Sequence, residues 1–447
     1  MRVLFTTWAQ TGHFQPLAPL GWALRAAGHE VLVATTPGFA GTVAEAGLTA
    51  VALGPDLDVT AELRRRFGAL PAEALAPSTF ERPASWTAAA PPVSGRTRDL
   101  AQNQFGREML RVVLDGCAAM LDDALALTRT WRPDLVVFEP TGFLGPLLAA
   151  ALDIPSARQL WAPDFSLPLQ GIADRIMGPL LRRVGRTEIN LTGTLTLDPC
   201  PPRLQVPADI PRRHQRYVPY HGRIAPRPWL YRRGARPRIC VTWGTTIHGV
   251  GLHETYLAPR AVRALSTVDA EVVVAALESQ RPLFGELPDN VTHFGPVPLR
   301  DLLPGCAAVV HQAGGGTTMS AVVSGVPQLL VPTLQDTLCN ATQLAGTGAG
   351  IRLRAGEADA ERMRTATKEL LADQDYRAAA WELRTEALAL PTPAELVPVL
   401  EALARNGSPA AELVAAGAPE REPHTVLQEQ QHRAGDRSAK AGHVAEQ

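Results

Sequence analysis

The chain opens on a strand, a helix and a second strand in close succession, and this order limits the folds available to it. Val3-Leu4-Phe5-Thr6-Thr7 reads as a strand. Pro16 stands near a helix's first turn, where its missing N–H costs nothing, and Leu17, Leu20, Ala23 and Leu24 keep helical spacing up to Gly28, a favoured residue just past a helix end. Val31-Leu32-Val33-Ala34 is the next strand. Two strands joined through a helix pair in parallel by a right-handed crossover, so the chain starts as an α/β protein. Residues 134–138 read as a further buried strand, followed by an apolar helix over 143–151. Between about Pro55 and Arg111 the pattern weakens into loops and short helices.

A second α/β run begins with Arg238-Ile239-Cys240-Val241-Thr242-Trp243 and continues through Glu271–Ala275, residues 306–310 and residues 328–331. The stretch from Asp198 to Arg236 is dense in proline and arginine, a composition that excludes regular structure. At 447 residues the chain is too long for one ordinary core. The expected fold is therefore two Rossmann-like parallel-sheet domains facing each other across a cleft: 1–205 and 237–375, with a linker over 206–236. Helical spacing over 376–405 is expected to form C-terminal helices that cross back to the first domain. The polar residues 406–447 are expected to be disordered, since they carry too little apolar surface to order themselves. Ligands of open parallel sheets bind beyond the carboxyl ends of the strands.

Composition narrows the function. A net charge of -1 argues against nucleic acid and against an anionic membrane surface as partners. Of the 43 basic residues only Lys368 and Lys440 are lysines, a coding bias of high-GC bacteria and not a basic binding face. Cys117, Cys200, Cys240, Cys306 and Cys339 are dispersed and show no metal-ligand spacing, so a reducing compartment is expected. The first strand follows Arg2 directly, with no signal peptide, and no apolar run approaches the ~18–20 residues of a membrane span, so a cytoplasmic location is expected.

The chemistry is expected at loops that follow strands. After Cys306–Val310 comes His311-Gln312-Ala313-Gly314-Gly315-Gly316-Thr317-Thr318, then a helix closed by Gly325. Glycines let backbone N–H groups approach a phosphate, and a helix start adds free donors and a positive dipole end. The alternative is a glycine turn that only permits close strand–helix packing. The pattern is neither GxGxxG nor a Walker lysine loop, which points away from a dinucleotide or an ATP γ-phosphate. Gly244-Thr245-Thr246 ends the first strand of the second run and offers further hydroxyls and amides. Asp336 follows residues 328–331 and suits neutral hydroxyls, or else caps the next helix. In the first half, His13 lies beyond the first strand as a candidate base, or as a polar cap. Glu139, at the end of residues 134–138, either orients His13 or favours the next helix's N-terminus.

Together these residues resemble the GT-B nucleotide-sugar glycosyltransferases of actinomycete natural-product pathways. Within that group the chain is similar to the enzymes that attach deoxysugars to macrolides and aromatic polyketides, the erythromycin desosaminyltransferase type. The resemblance rests on His13 with residues 19–31, on 131–136 and 160–164, on Arg216-Tyr217-Val218-Pro219-Tyr220-His221-Gly222, on 297–308, and on the His311 loop through Gln328. It covers about residues 1–405 in the family's order.

The resemblance implies an acceptor-binding first domain in which His13 deprotonates a hydroxyl. It implies a second domain in which His311, Gly314, Gly315, Gly316 and Thr317, helped by Thr245 and Thr246, grip the diphosphate of a nucleotide-sugar. Val297 would carry the base and Asp336 the sugar. The reaction would be a single inverting displacement, with no metal and no cofactor beyond the co-substrate. Phe80, Trp86, Phe143 and Trp161, with Phe105, Met109 and Phe165, would line the pocket of a hydrophobic aglycone, core packing being the other reading of each. Three positions depart from the family's pattern. Glu139 replaces an aspartate, Pro296 an aromatic residue, and Thr337 the glutamine that often follows Asp336. Loss of that glutamine implies a donor with fewer hydroxyls, a dTDP-linked (deoxy)hexose over UDP-glucose. A nucleotide-sugar 2-epimerase and a catalytically silent partner of another transferase are the rival readings. A homodimer and a helper protein both stay open.

Overall fold

Short runs rich in aliphatic and β-branched residues make most of the strands, and those inside each sheet are buried on both faces, as parallel sheets require. The computed structural model describes residues 1–70, 104–232 and 234–407, all of which lie within one compact unit, Met1–Ala410. The first sheet contains β1 (Arg2–Thr6), β2 (Glu30–Thr35), β3 (Thr49–Ala52), β4 (Leu135–Phe138), β5 (Ser156–Gln159), β6 (Leu195–Asp198) and β7 (Arg212–His214). Its order is β3-β2-β1-β4-β5-β6-β7, and every listed neighbour pairs in parallel. The second sheet contains β8 (Arg238–Thr242), β9 (Glu271–Ala275), β10 (Val291–Gly295), β11 (Ala308–His311), β12 (Gln328–Leu330) and β13 (Gly350–Arg352). Its order is β10-β9-β8-β11-β12-β13, again all parallel.

Both sheets reverse their winding direction beside their first strand. β1 lies between β2 and β4, and β8 lies between β9 and β11. Loops leaving the carboxyl ends of such a pair diverge to opposite faces of the sheet and leave a crevice. His13 and Glu139 follow β1 and β4; the Gly244 turn and the His311 loop follow β8 and β11. The expected two-sheet architecture is present, and each half offers its switch point to the other.

Two stretches differ from expectation. The linker expected over 206–236 contributes β7, which pairs with β6, so the first sheet runs to His214 and not to 205. Pro211 precedes this strand, and its carbonyl accepts the N–H of Thr196; at the sheet edge a proline's missing donor costs no ladder bond. The weakly patterned stretch after Pro55 carries a regular helix, Val59–Gly68, capped by the Asp58 carboxylate on the N–H of Ala61. It packs beside the long helix Gln104–Trp131, with Phe67 stacked on Phe105 at 4.5 Å. Phe105 is thus core and not pocket lining. Phe80, Trp86 and residues 408–447 of the expected tail lie outside the described residues.

The halves meet on two sides. Val59, Leu63, Phe67 and Val112 share a core with Ile247, Val250 and Tyr256, and Arg64 donates two hydrogen bonds to the carbonyl of Gly249. On the other side Trp161, Leu204 and Tyr217 pack with Ala313, Met319 and Leu344. The helix Gln374–Ala389 adds Ala380 and Leu383 to that cluster, and the helix Val397–Asn406 returns to the first half, where Glu401 pairs with His29 at 3.0 Å. Among the described residues no helix is long and apolar enough to cross a membrane.

Candidate active site

His13 lies within a short helix, Thr11–Phe14, that leaves β1 through Trp8, Ala9 and Gln10. Its ring is 22% exposed, and its Nδ1 is 3.0 Å from the Thr141 hydroxyl and 3.4 Å from Oε2 of Glu139. Glu139 is fully buried. Its two oxygens take the N–H of Trp8 (3.2 Å), the N–H of Thr141 (2.7 Å) and the Thr141 hydroxyl (2.9 and 3.1 Å). Burial alone would raise this carboxyl; the charge and hydrogen bond of His13, with the N–H groups of Thr141 and Trp8, outweigh it and hold it below the usual carboxylate range. A carboxylate facing Nδ1 fixes the proton there and leaves Nε2 as a lone pair toward the cleft. The longer arm of a glutamate is accommodated because Thr141 shares its hydroxyl between the carboxylate and the ring. Sequence reading missed Thr141; its only signal is its place two residues after Glu139, in the turn before the helix Leu144–Leu152.

Across the cleft the helix Gly315–Ser324 starts without a side-chain cap: Gly314 stands at the N-cap position in extended conformation. Its first-turn N–H groups therefore have no intrahelical partner and point out of the helix end. The preceding turn forces Ala313 into the left-handed region at φ 65, where a side chain costs roughly 1–2 kcal/mol. The side chain of Asn340 secures that turn by donating to the Ala313 carbonyl at 2.8 Å.

His311 does not face the cleft. Its ring is buried, Nε2 meets Oε1 of Gln328 at 2.9 Å, and Nδ1 accepts the N–H of Ala313 at 3.1 Å. Both nitrogens are occupied, and burial pushes the ring's pKa down to about 4 against a smaller upward pull from Gln328. It is a neutral pin for the loop and not the phosphate donor expected. The neighbouring Gln312, which sequence reading passed over, does reach the cleft. It is 8% exposed, its amide nitrogen lies between Gly244 and Gly314, and its Oε1 has no protein partner.

One cleft of about 640 Å³ gathers most of the expected residues: His13, Trp161, Thr245, Thr246, Val297, Gly314, Gly315, Gly316, Thr317 and Asp336. Val297, with Ala275, Leu277 and Pro296, makes an apolar wall at the ends of β9 and β10. Asp336 is the second residue of the helix Gln335–Gly346 and makes no N-cap bond. Its depth in the cleft raises its carboxyl, opposed by the Thr337 N–H and by His13. The Thr337 hydroxyl is spent on the turn, bonded to the N–H and carbonyl of Leu334 and the N–H of Thr333. Tyr217, Tyr220 and His221, from the segment read as linker, also line the cleft. None of the described lining residues is a lysine or an arginine.

Phe143 is placed elsewhere. It lines a small apolar pocket of about 30 Å³ behind His13, with Trp8, Val113, Cys117, Met120 and Thr141. Gly315 is constrained differently from the open approach expected. A Cβ there would meet Cδ1 of Trp161 at 2.5 Å, whereas at Gly316 the nearest atom is the Tyr217 hydroxyl at 3.7 Å.

Comparison with known proteins finds relatives over almost the whole chain. Residues 22–244 match the model of the erythromycin biosynthesis protein CIII-like N-terminal domain, and residues 260–403 match that of its C-terminal domain. The chain is 36% identical over 432 residues to the tylactone mycaminosyltransferase of Streptomyces fradiae, covering 91% of this chain and 94% of that protein. The crystal structure of the glycosyltransferase VinC in complex with dTDP superposes with a TM-score of 0.72 at 31% identity, covering 91% of this chain and all 100% of that one. The spinosyn rhamnosyltransferase SpnG, complexed with spinosyn aglycone, gives 0.72 at 31% identity over 90% of this chain and 100% of its own.

Proposed function

The chain belongs to the erythromycin biosynthesis protein CIII-like family of GT-B glycosyltransferases, and on that premise we propose that it moves a deoxyhexose from a dTDP-sugar to a hydroxyl of a hydrophobic polyketide-type aglycone, with inversion. The observation that carries this reading is one cavity bounded on one side by the Nε2 of His13 and on the other by an uncapped helix start. His13 takes the proton of the acceptor hydroxyl while the oxygen attacks the anomeric carbon. Glu139, held ionised, stabilises the imidazolium that forms. The bond from the anomeric carbon to the diphosphate breaks as the new bond forms. The growing negative charge on the leaving diphosphate meets the N–H groups of Gly315, Gly316 and Thr317 and the hydroxyls of Thr245 and Thr246. Attack from the face opposite the leaving group inverts the configuration.

Two features support the finer points. The apolar wall around Val297 suits a flat base, and a thymine adds a methyl group to that contact. The spent Thr337 hydroxyl leaves Asp336 as the single acidic sugar contact, which suits a donor with few hydroxyls. Of the relatives above, one is named as a tylactone mycaminosyltransferase, one is in complex with dTDP and one with spinosyn aglycone, which supports the same donor and acceptor classes here.

The test is direct. The protein is incubated with a dTDP-deoxyhexose and a panel of hydroxylated polyketide aglycones, and products are read by mass spectrometry and anomeric coupling constants. A glycosylated aglycone with inverted configuration is expected. Consumption of the donor alone, to an epimer or to free sugar, would refute the transferase reading.

A further inference from the structure

The cleft residues of the first half include one side chain that touches both sides of the cleft. Trp161 follows β5 and is 8% exposed. Its ring meets His13 edge-on, with centroids 4.6 Å apart. Its other edge lies over the start of the helix Gly315–Ser324: a Cβ built on Gly315 falls 2.5 Å from Cδ1 and 3.1 Å from Nε1. The indole N–H is the side chain's only polar group, and among the described residues it donates to no protein acceptor. An indole N–H this close to a helix end cannot find a partner there, because that end presents only donors. What both lack is an acceptor placed between them.

The segment that carries Trp161 is fixed from behind. Arg158, buried on β5, pairs with Asp164 at 2.6 Å and with the Ser166 hydroxyl at 3.0 Å. The N–H of Asp164 is taken by Gln205 at 2.7 Å. A buried Arg–carboxylate pair adds little net stability, but it fixes geometry, and here the geometry fixed is the turn that presents Trp161.

We propose that the indole N–H of Trp161 is a donor to the diphosphate of the nucleotide-sugar, a contact from the acceptor-side half to the leaving group. The inference rests on the donor reading of the cleft and extends it. The leaving group gains this hydrogen bond only when the two halves are closed on each other, and the same ring then braces His13. Diphosphate capture and base placement are thus set by one side chain.

Trp161→Phe keeps an aromatic ring beside His13 and removes the N–H; the smaller ring also changes packing, which the comparison of two ligands controls for. Calorimetry on wild type and variant uses dTDP, and thymidine as the ligand without phosphates. Affinity for dTDP is expected to fall about tenfold or more, the least that a hydrogen bond to a charged group is worth. Affinity for thymidine is expected to stay within about twofold. In wild-type protein labelled with 15N-indole, one tryptophan N–H resonance, absent from the variant, is expected to move downfield with dTDP and not with thymidine. An unchanged dTDP affinity, an equal loss for both ligands, or an indole resonance indifferent to dTDP each overturns the proposal while leaving the transferase reading in place. Wild-type protein that binds no dTDP at all overturns the donor reading itself.

Discussion

Acidification is expected to loosen the fold through His311. The ring is fully buried, both its nitrogens are engaged, and burial lowers its pKa from 6.5 to about 4. In the unfolded chain it titrates near the upper value. Between the two values the unfolded state holds the extra proton, so stability rises with pH in that window and falls as pH drops through it. Going from about pH 7.5 to about pH 5 removes about 2 kcal/mol, and full protonation below pH 4 would remove about 3 kcal/mol. Urea unfolding of the wild type and of His311→Gln, each at both pH values, isolates the contribution. The variant has no ring to titrate, while His221, also lowered to about 4 by burial, is common to both proteins and cancels. The wild type is expected to lose about 2 kcal/mol more than the variant. Parallel losses would show that His311 is not the buried neutral pin described, and would return it to the cleft as a ligand contact.

Three further outcomes follow from the site. His13→Ala is expected to cut turnover by roughly 10²–10⁴ while dTDP affinity by calorimetry stays nearly the same; an active variant would remove the base assignment. Thr141→Val is expected to lower kcat about tenfold with little change in KM, Thr141→Ser to restore it, and Glu139→Gln to act in the same direction; a loss confined to melting temperature would make both residues structural. Gly315→Ala is expected to lower the melting temperature, because its methyl group meets Trp161 at 2.5 Å, whereas Gly316→Ala folds normally and loses dTDP affinity. The reverse ranking would mean that the diphosphate does not approach the first turn of that helix.

The parts of the fold legible in the sequence were those written in aliphatic residues. β9 occupies the residues read as a strand, and β1, β2, β4, β8 and β12 differ from the reading by a residue or two at their ends. β5 escaped because Ser156, Arg158 and Gln159 are polar, and nothing in the sequence shows that Asp164 and Thr196 satisfy Arg158 in the interior or that Gln159 donates to the carbonyl of Pro16. β7 was hidden among prolines that an edge strand tolerates. At the site, loop position was informative and side-chain direction was not. His311 and Gln312 are adjacent on one strand end, where successive side chains point to opposite faces, and the one that reaches the cleft is the glutamine. Thr141 and Trp161 act through distances to His13 that only the packed chain creates.

Among the described residues the cleft wall holds no lysine or arginine, which bears on how the ligand responds to salt. Mobile ions screen a charge from another charge over about 8 Å at physiological ionic strength, and a site built on cations loses affinity steeply as salt rises. Here the diphosphate would meet only N–H and O–H dipoles in direct contact, at distances that no ion atmosphere can enter. Its capture should therefore be nearly flat in potassium chloride, and its release after transfer is not held back by a Coulomb well. A site arranged in this way is expected to keep the same grip at low and at high ionic strength.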